Sequence, residues 1–93
     1  MAEQCRRVRI TGRVQHVAFR AWTRDQAQRL GLKGWVRNEH DGSVAALIAG
    51  PEQAVARMLE LLEKGPPAAR VASVRGEAVD AEANTAAGFS IIR

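Results

Sequence analysis

Leu32-Lys33-Gly34-Trp35-Val36-Arg37-Asn38-Glu39-His40-Asp41-Gly42-Ser43-Val44-Ala45-Ala46-Leu47-Ile48-Ala49 reads as two strands folded back on each other. Residues 32–38 form the first strand and residues 43–49 the second. Asn38 through Gly42 make the turn, and Asp41-Gly42 supplies the positive φ that a hairpin needs. Val44, Ala46 and Ile48 fall on one side of the second strand, as a period of two demands. A hairpin forces its strands to be antiparallel. This segment therefore fixes an antiparallel sheet as the frame that the rest of the chain must cover.

Upstream, Arg7-Val8-Arg9-Ile10-Thr11 alternates polar and apolar, the pattern of a half-buried strand. Gly12 punctuates it. After a short loop, Ala18 to Leu30 reads as a helix, with Phe19, Thr23, Ala27 and Leu30 on one face and Trp22 beside it. Gly31 sits where a helix C′ glycine belongs. Downstream, Gly50-Pro51-Glu52 opens a second helix, with Pro51 suited to the first helical position. Val55, Met58, Leu59 and Leu62 recur at i, i+3, i+4 and i+7, and Gly65-Pro66-Pro67 ends that helix. Arg70 to Val79 is a weaker strand interrupted by Gly76. Residues 81–87 read as loop, and Phe89-Ser90-Ile91 as a last short strand. Two helices with apolar stripes need one sheet face to bury them. The economical solution is an α+β, ferredoxin-like βαββαβ sandwich: an antiparallel sheet with two helices on one face, plus a short extra strand. This architecture hosts many functions and selects none of them.

The 93 residues suit one domain, spanning 1–93, with a single modest core. Hydrophobic residues make up 46% and charged residues 26%, an ordinary globular composition. No apolar run is long enough for a membrane span, and Met1 to Arg7 lacks the apolar stretch of a secretory signal. Cys5 is the only cysteine, which excludes an intrachain disulfide and suits a reducing, cytoplasmic location. With His16 and His40 as the only histidines, soft ligands are too few for a metal centre, so no metal or other cofactor is expected. The net charge is +4. Arg6, Arg7, Arg9, Arg13, Arg20 and Arg24 all lie between Glu3 and Asp25, with no acidic residue among them. That stretch should attract anions. Charge alone does not choose between nucleic acid, acidic protein and a phosphate-bearing metabolite.

Gly12-Arg13-Val14-Gln15-His16-Val17-Ala18-Phe19-Arg20 joins the first strand to the first helix. A loop entering a helix presents backbone N–H groups with no partner inside the helix. It also meets the positive end of the helix dipole, so the two together favour an anion. Arg20 falls in the first turn, where a cation is disfavoured by roughly 0.3–1 kcal/mol. No acidic residue nearby in sequence compensates it. A bound anion would, and arginine grips phosphate oxygens in bidentate fashion. A solvated surface role is the bland alternative for Arg20, and a plain turn-forming role for Asn38. Trp35 reads as packing, Arg37 as a solvated strand residue, and His40 and Asp41 as exposed turn residues.

These residues also carry a family resemblance. Ile10 through Arg20 resembles the first signature of the acylphosphatases, an apolar residue followed by G-x-V-Q-G-V-x-F-R. Gly34, Trp35, Val36, Asn38, Gly42, Val44 and Gly50 are similar to the second, G-W-V-x-N-x-x-x-G-x-V ending in glycine. The resemblance implies hydrolysis of acyl phosphates to a carboxylate and inorganic phosphate. It implies that Arg20 holds the phosphoryl group, with the backbone N–H groups of Gln15, His16, Val17, Ala18, Phe19 and Arg20 cradling it. It implies that Asn38 positions the attacking water. The signature has glycine where this chain has His16. If positive φ is needed there, histidine carries strain of about 1–3 kcal/mol, although it visits that region more readily than most residues.

The expected partner is a small-molecule acyl phosphate, with the chain working as a monomer and without a membrane. Two other readings compete. A regulatory domain could bind phosphate without catalysis, and the substitution at His16 favours that. A nucleic-acid-binding module would want several exposed sheet aromatics. The chain has only Phe19, Trp22, Trp35 and Phe89, three of them better used in packing, so nucleic acid is not expected.

Overall fold

The computed structural model describes residues 3–80 and 88–92. The chain runs β1 (Glu3–Arg13), α1 (Phe19–Arg29), β2 (Lys33–Asn38), β3 (Val44–Pro51), α2 (Glu52–Lys64), β4 (Arg70–Ala78) and β5 (Phe89–Ile91). The sheet order is β4-β1-β3-β2-β5. The hairpin forms as its turn chemistry requires, with Trp35 opposite Leu47 and Asn38 opposite Val44. β1 inserts antiparallel between β3 and β4.

Side-chain alternation sorts the sheet into two faces. Val8, Ile10, Val36, Val44, Ala46 and Ile48 face the helices. They bury Phe19 and Ala27 of α1 and Val55, Met58 and Leu62 of α2. At about 25 cal/mol per Å² of apolar surface, this layer is the main source of stability. The central strand β3 is covered on its other face as well, where Ala45, Leu47 and Ala49 pack with Cys5 and Trp35. Trp35 is roofed by the Arg37 and Arg7 guanidiniums, 5.0 and 5.8 Å from its ring centroid. Arg37 also pairs with Glu39. It is thus a packed, ion-paired residue rather than a solvated one.

Helix ends follow their capping residues. At the end of α1, the Gly31 amide donates to the Gln28 carbonyl and the Leu32 amide to the Ala27 carbonyl. Gly31 has φ +71°, and the two bonds complete a Schellman closure. Pro51 precedes α2 as its cap rather than occupying the first helical position, which Glu52 takes. Gly34 must be glycine for a steric reason. A Cβ there would lie 1.8 Å from the Leu47 carbonyl oxygen across the hairpin.

Three features differ from the sequence reading. β1 is eleven residues long and carries an irregularity between Thr11 and Gly12. β4 runs through Gly76 without interruption. The sheet is mixed rather than purely antiparallel, because β5 pairs parallel with β2. β4 and β2 run in opposite directions, so a chain that reverses after β4 returns alongside β2 in β2's own direction. The loop expected over residues 81–87 lies outside the described residues.

Candidate active site

The loop between β1 and α1 is shaped by two residues in left-handed conformation, His16 at φ 63° and Ala18 at φ 60°. Left-handed residues spaced this way curl successive amides into a concavity that suits an anion. Ala18 is the cap of α1, and no side chain bonds the first-turn amides. No acidic residue lies in that turn either. The N-terminus of α1 therefore keeps both its free donors and its positive dipole end. The strain foreseen at His16 is present in the backbone.

A cavity of about 250 Å³ opens at this helix end. His16, Ala18, Arg20 and Asn38 border it, with Val14 and Phe19 beneath and Ile91 of β5 on one wall. The structure thus brings together Arg20 from α1 and Asn38 from the end of β2, eighteen residues apart in sequence. Asn38 is half-buried, and its side-chain oxygen is buried without a hydrogen-bond partner among the described residues. A buried acceptor left unpaired costs about 1–3 kcal/mol, so this oxygen calls for a donor.

Gln15 and Val17 do not border the cavity. Gln15 has a task that sequence reading missed. Its side-chain amide donates to the carbonyls of Glu39 and Ser43, both at 2.8 Å. The loop is thereby strapped to the turn that follows Asn38. A glutamine NH₂ can serve two carbonyls at once, but main-chain acceptors give no sequence signal by which this strap could have been found. The turn is braced a second time by Asp41, which accepts from the Ser43 amide at 2.9 Å and the Ser43 hydroxyl at 2.6 Å. These Ser43 bonds hold the Asp41 carboxyl below its ordinary range, with Arg9 adding a smaller push in the same direction. His40 and Asp41 are exposed, as read from the sequence.

Among the described residues, no three His, Cys, Asp or Glu side chains converge in a way that could hold a metal ion. No helix among them is long and apolar enough to cross a membrane.

Fold and cleft together define a small ferredoxin-like domain with a pocket bearing Arg20 and Asn38 at the mouth of its first helix. The acylphosphatase family model matches residues 6–91. The acylphosphatase of Rhizobium meliloti (strain 1021) is 64% identical over 86 residues, covering 92% of this chain and 90% of that one. The acylphosphatase structure from Coxiella burnetii superposes with a TM-score of 0.91 at 34% identity, covering 97% of this chain and 93% of that chain. The Bacillus subtilis acylphosphatase structure gives the same TM-score of 0.91 at 32% identity, with 99% and 100% covered. The chain belongs to the acylphosphatase family.

Proposed function

We propose that this chain hydrolyses acyl phosphates to a carboxylate and inorganic phosphate in the cleft between Arg20 and Asn38. The observation that carries the reading is the pairing of an uncapped, arginine-bearing helix start with an unpartnered buried acceptor on Asn38. Family membership and the 64% identity to a relative named acylphosphatase support it.

The phosphoryl group sits at the mouth of α1, in the cavity that His16, Ala18, Arg20 and Asn38 border. The Arg20 guanidinium takes two of its oxygens. The Asn38 side-chain oxygen accepts a hydrogen bond from a water and holds it in line with the scissile P–O bond. Water attacks phosphorus, the bond to the acyl oxygen breaks, and the carboxylate leaves with that electron pair. A carboxylate is a good leaving group, so no strong acid is required. The water's proton passes to a phosphate oxygen. Charge spread over the transferring group is stabilised by fixed donors already in place, which is positioning and electrostatic catalysis. No base or metal is needed for this sequence.

All these parts come from one chain, so a monomeric domain spanning 1–93 suffices. The single cysteine suits a reducing, cytoplasmic setting. The test is benzoyl phosphate hydrolysis in the presence of EDTA. The native protein should turn over. Arg20→Ala and Asn38→Ala should each lose about 10²–10³ in rate, equivalent to about 3–4 kcal/mol, while unfolding normally on heating. Full turnover by either variant removes its assigned role. Phosphate binding without hydrolysis by the native protein selects a purely regulatory domain instead.

A further inference from the structure

The sheet face turned away from both helices carries a ladder of guanidiniums. In the β1–β4 register Arg9 stands directly opposite Arg75, and Arg13 opposite Arg70. Val71 packs against the helix-side core, which turns its neighbour Arg70 to the open face. Between the two arginine pairs lie Thr11 and Ser73, whose hydroxyls share a 2.6 Å hydrogen bond. Strands rise about 3.4 Å per residue, so these groups follow one another at about 7 Å and extend over about 14 Å.

Like charges directly opposite each other weaken a ladder. Nearby acids answer only part of this charge. Asp41 reaches Arg9 at 2.8 Å, but both side chains are more than half exposed, and such a pair is weak. Glu39 is occupied by Arg37, and Glu77 faces Arg7. Among the described residues, Arg13, Arg70 and Arg75 have no ion-pair partner. A cavity of about 320 Å³ opens beside Arg7, Arg9 and Arg75, with Ala45 lining it between strands and the carboxylates of Glu39 and Glu77, already set against Arg37 and Arg7, at its border. It lies away from the cleft at the mouth of α1, sharing none of the residues that border that cleft.

We propose that the Arg9/Arg75 and Arg13/Arg70 ladder on the open sheet face binds linear inorganic polyphosphate. An extended polyanion matches cations spread along two strands, where a single small anion would meet one pair only. Guanidiniums and paired hydroxyls are donors suited to phosphate oxygens. A bare phosphate chain fits this face better than a nucleic acid does. Bases need exposed aromatic platforms, and Trp35 is only 8% exposed and roofed by two arginines.

The test is calorimetric titration with medium-chain polyphosphate, run on the native protein and on Arg20→Ala so that the catalytic cleft does not compete. Binding should persist in Arg20→Ala and weaken as salt is raised. In that background Arg75→Glu and Arg70→Glu should each weaken binding by roughly tenfold to a hundredfold. In the otherwise native chain, both reversals should leave benzoyl phosphate turnover unchanged and Tm equal or higher, because each relieves a like-charge pair. Arg75→Gln should give the same direction with a smaller loss, should a reversal fail to fold. The proposal is overturned if polyphosphate does not bind, if binding vanishes with Arg20→Ala, or if the substitutions change nothing. Tighter binding of a single-stranded oligonucleotide than of polyphosphate at matched charge overturns it as well.

Discussion

At the scale of single residues, His16 serves the proposed cleft through its backbone, whereas Arg20 and Asn38 serve it through their side chains. The His16 φ of 63° is left-handed, and in the proposed mechanism the loop uses that backbone rather than the imidazole. Glycine would hold the same backbone with less strain, by about 1 kcal/mol. His16→Gly should therefore keep benzoyl phosphate kcat/KM within several-fold of the native value, far from the roughly 10²–10³ loss of a deleted oxyanion donor. Steady-state kinetics on the two proteins would decide it, and a loss of the larger size would make the imidazole part of the machinery. Asp41 is the residue whose charge matters for the turn below Asn38. Its carboxyl is held below its ordinary pKa by Ser43 first and Arg9 less. A depressed carboxyl pKa contributes stability that is fully present above the unfolded value and lost as pH falls through the folded one. The gap in Tm between the native protein and Asp41→Asn should then be widest near neutrality and close below about pH 4. That Arg20 and Asn38 would meet at one cavity was legible because two signatures frame them. The strap from Gln15 was not, because its partners are main-chain carbonyls, which leave no mark in a sequence.

At the scale of elements, α1 is built with a closed end and an open one. Its C-terminus is sealed by Gly31, while its N-terminus lacks both a side-chain cap and an acidic first turn. In the proposed mechanism this deficiency is what receives the phosphoryl group. Filling it should improve the helix and harm the cleft. Ala21, exposed at the third helical position and bordering the cavity, is the place to do so. A carboxylate there meets the dipole favourably, by about 0.3–1 kcal/mol. Ala21→Glu should raise Tm in phosphate-free buffer and at the same time raise KM for benzoyl phosphate, read by thermal melts beside initial rates. A gain in stability with an unchanged KM would mean that the helix mouth does not receive the phosphoryl group. The strands tell a complementary story about legibility. The stripe of α2 and the β2–β3 hairpin could be read locally, since periodicity and turn chemistry are short-range. The parallel pairing of β5 with β2 could not, since direction in a sheet is decided by what the chain does between elements. The full length of β1 could not be read either, because Gln4 and Arg6 stand where the alternation set by Val8 and Ile10 calls for apolar residues.

For the molecule as a whole, binding and folding draw on the same groups. In the proposed mechanism a phosphate and its water satisfy the amides at the start of α1 and the buried acceptor on Asn38. A small domain of this size has little stability to spare. Its thermal transition should therefore report on the cleft. Ligand that binds only the folded state adds RT ln(1 + [L]/Kd), about 2.7 kcal/mol at a hundredfold excess over Kd. In a domain of 60–100 residues each kcal/mol moves Tm by about 4–8 °C. Saturating inorganic phosphate should thus raise the Tm of the native protein by roughly 10–20 °C. In Arg20→Ala most of that rise should vanish, while sodium chloride at matched ionic strength should reproduce little of it in either protein. The two arginine reversals on the open face, Arg70→Glu and Arg75→Glu, should keep the rise intact. Equal phosphate-induced shifts in the native protein and in Arg20→Ala would place the phosphate somewhere other than the mouth of the first helix, and the proposed chemistry would have to move with it.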